Sequence, residues 1–186
     1  VATVIPYWDR WMQALPDVRT LARALPTRVL KLWAGLGYYS RARNLQQSAR
    51  EIVKNHDGQL PHDTKALQTL PGIGRYTAGA ICSIAFNQPE PILDGNIIRV
   101  LTRLFAIEEN PESADTARRL WTLARQFVIT TTERGALNQA LMELGATVCM
   151  PRSPTCLQCP LSPNQDGVFR VQLFAVFLGH LNLHSK

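Results

Sequence analysis

Several things are scarce in this 186-residue sequence, and each scarcity excludes a class of protein. Four cysteines are too few for a disulfide scaffold. No apolar run reaches the ~20 residues that a membrane-spanning helix needs, so no membrane partner is expected. Val1 is not followed by the basic, apolar and cleavage-site succession of a signal peptide. The start reads like the interior of a domain entered partway. Alternating strand patterns, internal repeats and low-complexity segments are absent from the body of the chain. What remains is 46% hydrophobic residues over a length that suits one compact domain with a real core.

Acidic residues are scarce in one place. Residues 1–50 hold eight bases and two acids, Asp9 and Asp17, whereas the rest of the chain holds twelve of each, so the whole net charge of +6 lies in the first quarter. Sixteen of the twenty bases are Arg, whose planar guanidinium suits bidentate phosphate contacts. A polyanionic partner is one reading of this excess. A solvated helix face is the other.

The patterning predicts an all-α body of about eight helices. Apolar residues recur at helical spacing in five stripes: Ala42, Leu45, Ala49, Ile52 and Val53; Ala78, Ile81, Ile84 and Ala85; Leu101, Leu104 and Phe105; Leu120, Leu123, Ala124 and Phe127; and Leu137, Ala140, Leu141 and Leu144. Pro16, Pro26, Pro61, Pro71, Pro91, Pro111 and Pro151 punctuate them at helix-length intervals. The expected organisation is a helical domain over 1–147, a cysteine loop over 148–165 and an atypical apolar tail over 166–186.

Two segments carry chemistry. The first is Leu70-Pro71-Gly72-Ile73-Gly74-Arg75-Tyr76-Thr77-Ala78-Gly79-Ala80, inside a hairpin at about 63–86. Its glycines allow positive φ and leave no side chain between backbone and ligand. The following helix begins with N–H groups that have no intrahelical partner. Leu70, Gly72, Ile73, Gly74 and Arg75 are therefore candidates to hold a nucleic-acid phosphate without reading a base; a purely structural hairpin is the alternative. The second is Ile92-Leu93-Asp94-Gly95-Asn96-Ile97-Ile98-Arg99, in which Asp94 stands where an apolar helix begins. An ordinary N-cap would explain it. A carboxylate there could also stabilise the oxocarbenium-like transition state of N-glycosidic bond cleavage.

The hairpin, its second helix and Asp94 at this spacing resemble the helix-hairpin-helix DNA glycosylase superfamily, and within it the MutY-type adenine DNA glycosylases. Similarity runs from Val1 to about Leu161, with further markers at 32–45 (LWAGLGYYSRARNL), Leu93–Asn96 and 138–146 (NQALMELGA). The resemblance implies a helix-hairpin-helix glycosylase fold with an iron–sulfur-type loop. It implies base-excision repair by hydrolysis of the bond to adenine mispaired with 8-oxoguanine or guanine in double-stranded DNA. Asp94 would stabilise or trap the sugar cation, Asn96 would orient the Asp94 carboxylate, and Tyr76 would hydrogen-bond at the active site. Tyr38 would press its ring into the base stack beside the lesion, where a flat apolar ring offsets unstacking; core packing is the alternative. Arg41 and Arg43 would contact the backbone, or simply line a solvated helix face.

The rival branch, the endonuclease-III-like pyrimidine glycosylase/lyases, places a nucleophilic Lys where this chain has Tyr76, and Tyr cannot form a Schiff base. Cys149, Cys156 and Cys159 match the family's [4Fe–4S] spacing, but the fourth position is Gln165. A labile or absent cluster, free thiols, or zinc with His180 or His184 are the readings left open. Cys82 is expected to be a buried thiol. The resemblance also implies a Glu general acid upstream of Val1, so the chain by itself is expected to be weakly active or inactive, or to act as a non-catalytic DNA-binding fragment. It is expected to be a monomer inside the cell, in the bacterial cytoplasm or in a eukaryotic nucleus or mitochondrion.

Overall fold

The structure is a computed structural model that describes residues 4–161. The apolar tail, Gln165, His180 and His184 lie outside the described residues. Among the described residues every regular element is helical, and none is long and apolar enough to cross a membrane. The chain divides into two compact units, Val1–Ala78 and Gly79–Lys186, where the sequence suggests one helical domain over 1–147. The boundary falls inside a helix, at a point where no change of composition marks it.

In the first unit α1 spans Ile5–Ala14, α2 Val18–Arg23, α3 Pro26–Trp33, α4 Tyr39–Asn55 and α5 Thr64–Gln68; α6, Arg75–Ala80, crosses the boundary. Pro6 and Pro26 stand in the first turns of α1 and α3, where a missing N–H costs nothing. Asp17 caps α2, its Oδ1 accepting the Thr20 N–H at 2.7 Å. Leu15, Leu21, Val29, Ala42 and Ala49 form the core, with Trp11 and Trp33 edge-to-face at 5.6 Å on its flank. The buried stripe of α4 differs from the expected one. Leu45 is 42% exposed, and Gln46 and Ser48 are buried instead. Gln46 Nε2 donates to the carbonyls of Leu21 and Ala24, capping the end of α2 from outside, so a polar side chain replaces an apolar one inside.

The second unit begins with a π-helical turn, Ile81–Ala85, followed by α7 (Gly95–Leu104), α8 (Ala114–Ile129), α9 (Arg134–Thr147) and a 3₁₀ turn at Cys156–Gln158. The π turn breaks the 3.6-residue period, so Cys82 and Ser83 are buried while Ile84 of the expected stripe is exposed. The α8 stripe of Leu120, Leu123, Ala124 and Phe127 is buried as expected, against Ile97, Val100, Leu101 and Leu141. On α9 the buried face is Gly135, Asn138, Leu141 and Gly145, and Ala140 is exposed. Small and polar residues face inward there because α9 lies close against backbone. Asn138, 2% exposed, donates through Nδ2 to Ser83 Oγ at 2.8 Å and to the Glu90 carbonyl at 3.0 Å.

Two outcomes follow. Asn138→Ala leaves buried acceptors without their donor and lowers stability by ~1–3 kcal/mol in urea unfolding. The backbone N–H of Thr20 holds the Asp17 carboxyl below its ordinary value of 3.8. Its contribution is therefore present above pH 3.8 and lost as pH falls through the depressed value. The thermal midpoint of Asp17→Asn should fall less steeply than that of the native chain across that acid range.

Candidate DNA-glycosylase site

The candidate functional residues fall in both units, and each group stands on its own element: the start of α4 and the hairpin turn in the first, the start of α7 in the second. In the first unit, Tyr38 occupies the N-cap of α4 with φ 47° and ψ 55°, a left-handed conformation that non-glycine residues rarely adopt. Its ring is 81% exposed, which excludes core packing. The Arg41 N–H, in the first turn of α4, donates to the Tyr38 carbonyl at 2.9 Å. The Arg41 guanidinium carbon lies 5.6 Å from the Tyr38 ring centroid and 5.5 Å from that of Trp33.

The same helix supports the hairpin turn between α5 and α6. Asp63 caps α5 through the Ala66 N–H. Leu70 is buried, so it shapes the turn from inside, its carbonyl accepting the Ile73 N–H at 3.1 Å, and offers no side chain to a ligand. Ser48 Oγ donates to the Pro71 carbonyl at 2.8 Å. Gly72 has φ +77°, and a Cβ there would lie 2.7 Å from Asn44 Nδ2. Gly74 departs from the expectation of positive φ in both glycines. Its backbone is ordinary, and a Cβ there would meet only open space. Gly72, Gly74 and Arg75 are exposed, Ile73 is half-buried, and Tyr76 is 37% exposed on α6.

In the second unit Asp94 is both cap and candidate catalytic group. Its Oδ1 accepts the Ile97 N–H at 2.8 Å, and its Oδ2 accepts a hydrogen bond from Asn96 Nδ2 at 3.1 Å. One oxygen is thus tied to the helix and the other to a side chain two residues on. Asn96 is held in turn by Arg99, whose Nη2 donates to Asn96 Oδ1 at 2.7 Å and to the Gly145 carbonyl at 2.7 Å. Arg99 Nε donates to the Cys149 carbonyl at 2.7 Å. Arg103, one turn further, donates to the Met150 carbonyl at 2.8 Å and lies 3.3 Å from Cys149 Sγ. A hydrogen-bonded chain therefore runs from the start of the cysteine segment to the Asp94 carboxylate. Gly145 makes it possible: a Cβ there would lie 2.6 Å from Asn96 Cβ and 2.8 Å from the Asn96 carbonyl oxygen.

Sequence reasoning missed Arg99, Arg103, Asn44, Ser48 and Trp33 as contributors. Arg99 left one trace, a cation three residues after Asn96 on the same helix, a spacing at which side chains meet. The three cysteines are free thiols, with Cys156 exposed and Cys149 and Cys159 partly so. Among the described residues no three His, Cys, Asp or Glu side chains converge as a metal-ligand group. As placed, Cys149, Cys156 and Cys159 do not fit a [4Fe–4S] cluster. Cys82 is fully buried, as expected.

A helical hairpin turned on glycine, followed by a capped and buttressed Asp, defines a class, and comparison with known proteins agrees. Residues 1–126 match the family model described as HhH-GPD superfamily base excision DNA repair protein, and the chain belongs to that superfamily. By sequence it is similar to the adenine DNA glycosylases. It is 50% identical to that of Mus musculus over 173 residues, covering 92% of this chain and 33% of that protein. It is 52% identical to that of Homo sapiens over 162 residues, covering 87% and 30%. The chain spans about a third of the length of these curated relatives. Its fold is similar to a thermostable thymine-DNA glycosylase, with a TM-score of 0.75 at 27% identity over 84% of this chain and 71% of that one. It is also similar to an endonuclease III bound to DNA, with a TM-score of 0.72 at 24% identity over 91% and 76%. The sequence relatives fall on the adenine branch, and this second likeness speaks for the fold alone.

Gly145→Ala should displace Asn96 and lower stability by ~1–3 kcal/mol. The Asn96 side-chain amide resonances in NMR spectra would report the displacement directly.

Proposed function

We propose that the chain carries the sugar-stabilising part of the chemistry of an adenine DNA glycosylase, an enzyme that hydrolyses the N-glycosidic bond of adenine mispaired with 8-oxoguanine or guanine in duplex DNA. The observation that carries this reading is the Asp94 carboxylate with one oxygen bound to the α7 backbone and the other to Asn96. Its fixed negative charge suits a ribose-derived cation at C1′, and fixed charge costs no reorganisation as the cation forms. The bond from C1′ to the base breaks, and the base leaves with the electron pair and gains a proton. Water adds to C1′ and loses a proton. Asn96 and Arg99 act as positioning residues. Tyr76 is the candidate hydrogen-bonding group that the resemblance implies, and it is 37% exposed on α6.

Duplex DNA is the partner this reading requires, and an intracellular location is part of the same proposal. Gly72, Gly74 and Arg75 would receive a phosphate, and Tyr38 would enter the stack vacated by the extruded adenine. Other bases of residues 1–50, Arg43 among them, would extend this footprint. Binding and cleavage then draw on different side chains and separate by mutation.

The test is adenine release from a duplex carrying adenine opposite 8-oxoguanine, beside fluorescence-anisotropy binding to the same duplex. Asp94→Asn should abolish release and leave affinity nearly unchanged. Release by Asp94→Asn at the native rate would overturn the assignment. Arg99→Gln should slow release about tenfold, the equivalent of ~1.4 kcal/mol of barrier. Affinity should fall steeply as salt rises, because phosphate contacts release counterions. Binding without release by the unaltered chain would favour a non-catalytic DNA-binding fragment.

A further inference from the structure

We propose that Arg41 is a brace for the Tyr38 ring rather than a phosphate contact. The inference rests on the DNA-binding reading above and adds to it a positioning residue. Three observations meet at this side chain. Tyr38 is held in left-handed backbone geometry and is 81% exposed, so little packing limits its ring's rotation. The Arg41 guanidinium sits within cation–π range of two rings at once, Tyr38 and Trp33. Trp33 is anchored: its Nε1 donates to the Gly37 carbonyl at 2.9 Å, and its ring packs edge-on against Trp11 beside the core. Arg41 thus links the exposed ring to one that is hydrogen-bonded and packed. A planar, delocalised cation can serve two aromatic faces, which an ammonium does poorly.

A ring that enters a base stack pays less on binding if its rotamer is already selected. A brace and a phosphate contact also leave different traces. Losing a phosphate contact weakens binding to every duplex and lowers the salt slope by about one. Losing a brace weakens only complexes in which the ring inserts, and leaves the slope alone.

The experiment compares the native chain with Arg41→Gln, Arg41→Lys, Tyr38→Ala and the double variant Tyr38→Ala/Arg41→Gln. Anisotropy is measured on an undamaged duplex and on one carrying a stable abasic-site analogue opposite 8-oxoguanine. Arg41→Gln should lose about two- to fivefold on the analogue duplex, the size of one such contact. It should lose nothing on the undamaged duplex, with the salt slope unchanged, and nothing further in the Tyr38→Ala background. Arg41→Lys should recover only part of the loss. Equal losses on both duplexes, or a slope reduced by about one, would overturn the brace. NMR relaxation of the Tyr38 ring in the DNA-free protein provides the independent arm: Arg41→Gln should increase ring mobility, and unchanged mobility overturns the brace whatever DNA does. If mobility rises but the native chain does not prefer the analogue duplex, the brace stands and the DNA reading fails.

Discussion

Asn96 lies against the backbone of α9 at a distance that any side chain on residue 145 would prevent. That close approach organises the second unit. It brings the Gly145 carbonyl within reach of Arg99, which then meets Asn96 Oδ1 and the Cys149 carbonyl with the same guanidinium. Asn96, fixed at its oxygen, directs its amide at Asp94 Oδ2. The orientation of the carboxylate is thus set by helix packing and not by the N-cap alone. A cap bond determines where one oxygen sits; the second needs a support that comes from elsewhere in the fold.

The first unit uses the same economy on a different helix. The N-cap of α4 presents Tyr38, and its middle holds the hairpin through Asn44 and Ser48. Gly72 is required on two counts, its φ of +77° and the nearness of Asn44. The exposed ring and the exposed turn are therefore both referred to one rigid element of seventeen residues. The proposed DNA-binding reading asks for this shared reference, because a backbone grip and a ring in the stack have to keep one register.

Much of this was legible beforehand, and the failures have physical causes. Helical periodicity placed the core face of α8 correctly because that helix packs by apolar side chains alone. It misplaced Leu45, Ile84 and Ala140, where packing is by polar side chains, a π turn or backbone. Asp94 and Asn96 were legible as a pair because their contact is local, two residues apart. Arg99 and Arg103 bond to residues 46 to 50 positions away, and no local pattern encodes that distance. The cysteine spacing was legible too, but spacing does not bring thiols together.

The amino-acid sequence by itself determined the helical class, the glycine turn, the capped Asp94 and membership of a repair superfamily, because each rests on short-range stereochemistry or on a contiguous string of residues. Only the tertiary structure decided that Leu70 is buried, that Gly72 lies against Asn44 while Gly74 faces open space, that Tyr38 stands in solvent, and that Arg41 and Arg99 support other side chains. Those outcomes depend on which surfaces meet after the chain has folded, and a side chain's role follows from its neighbours in space.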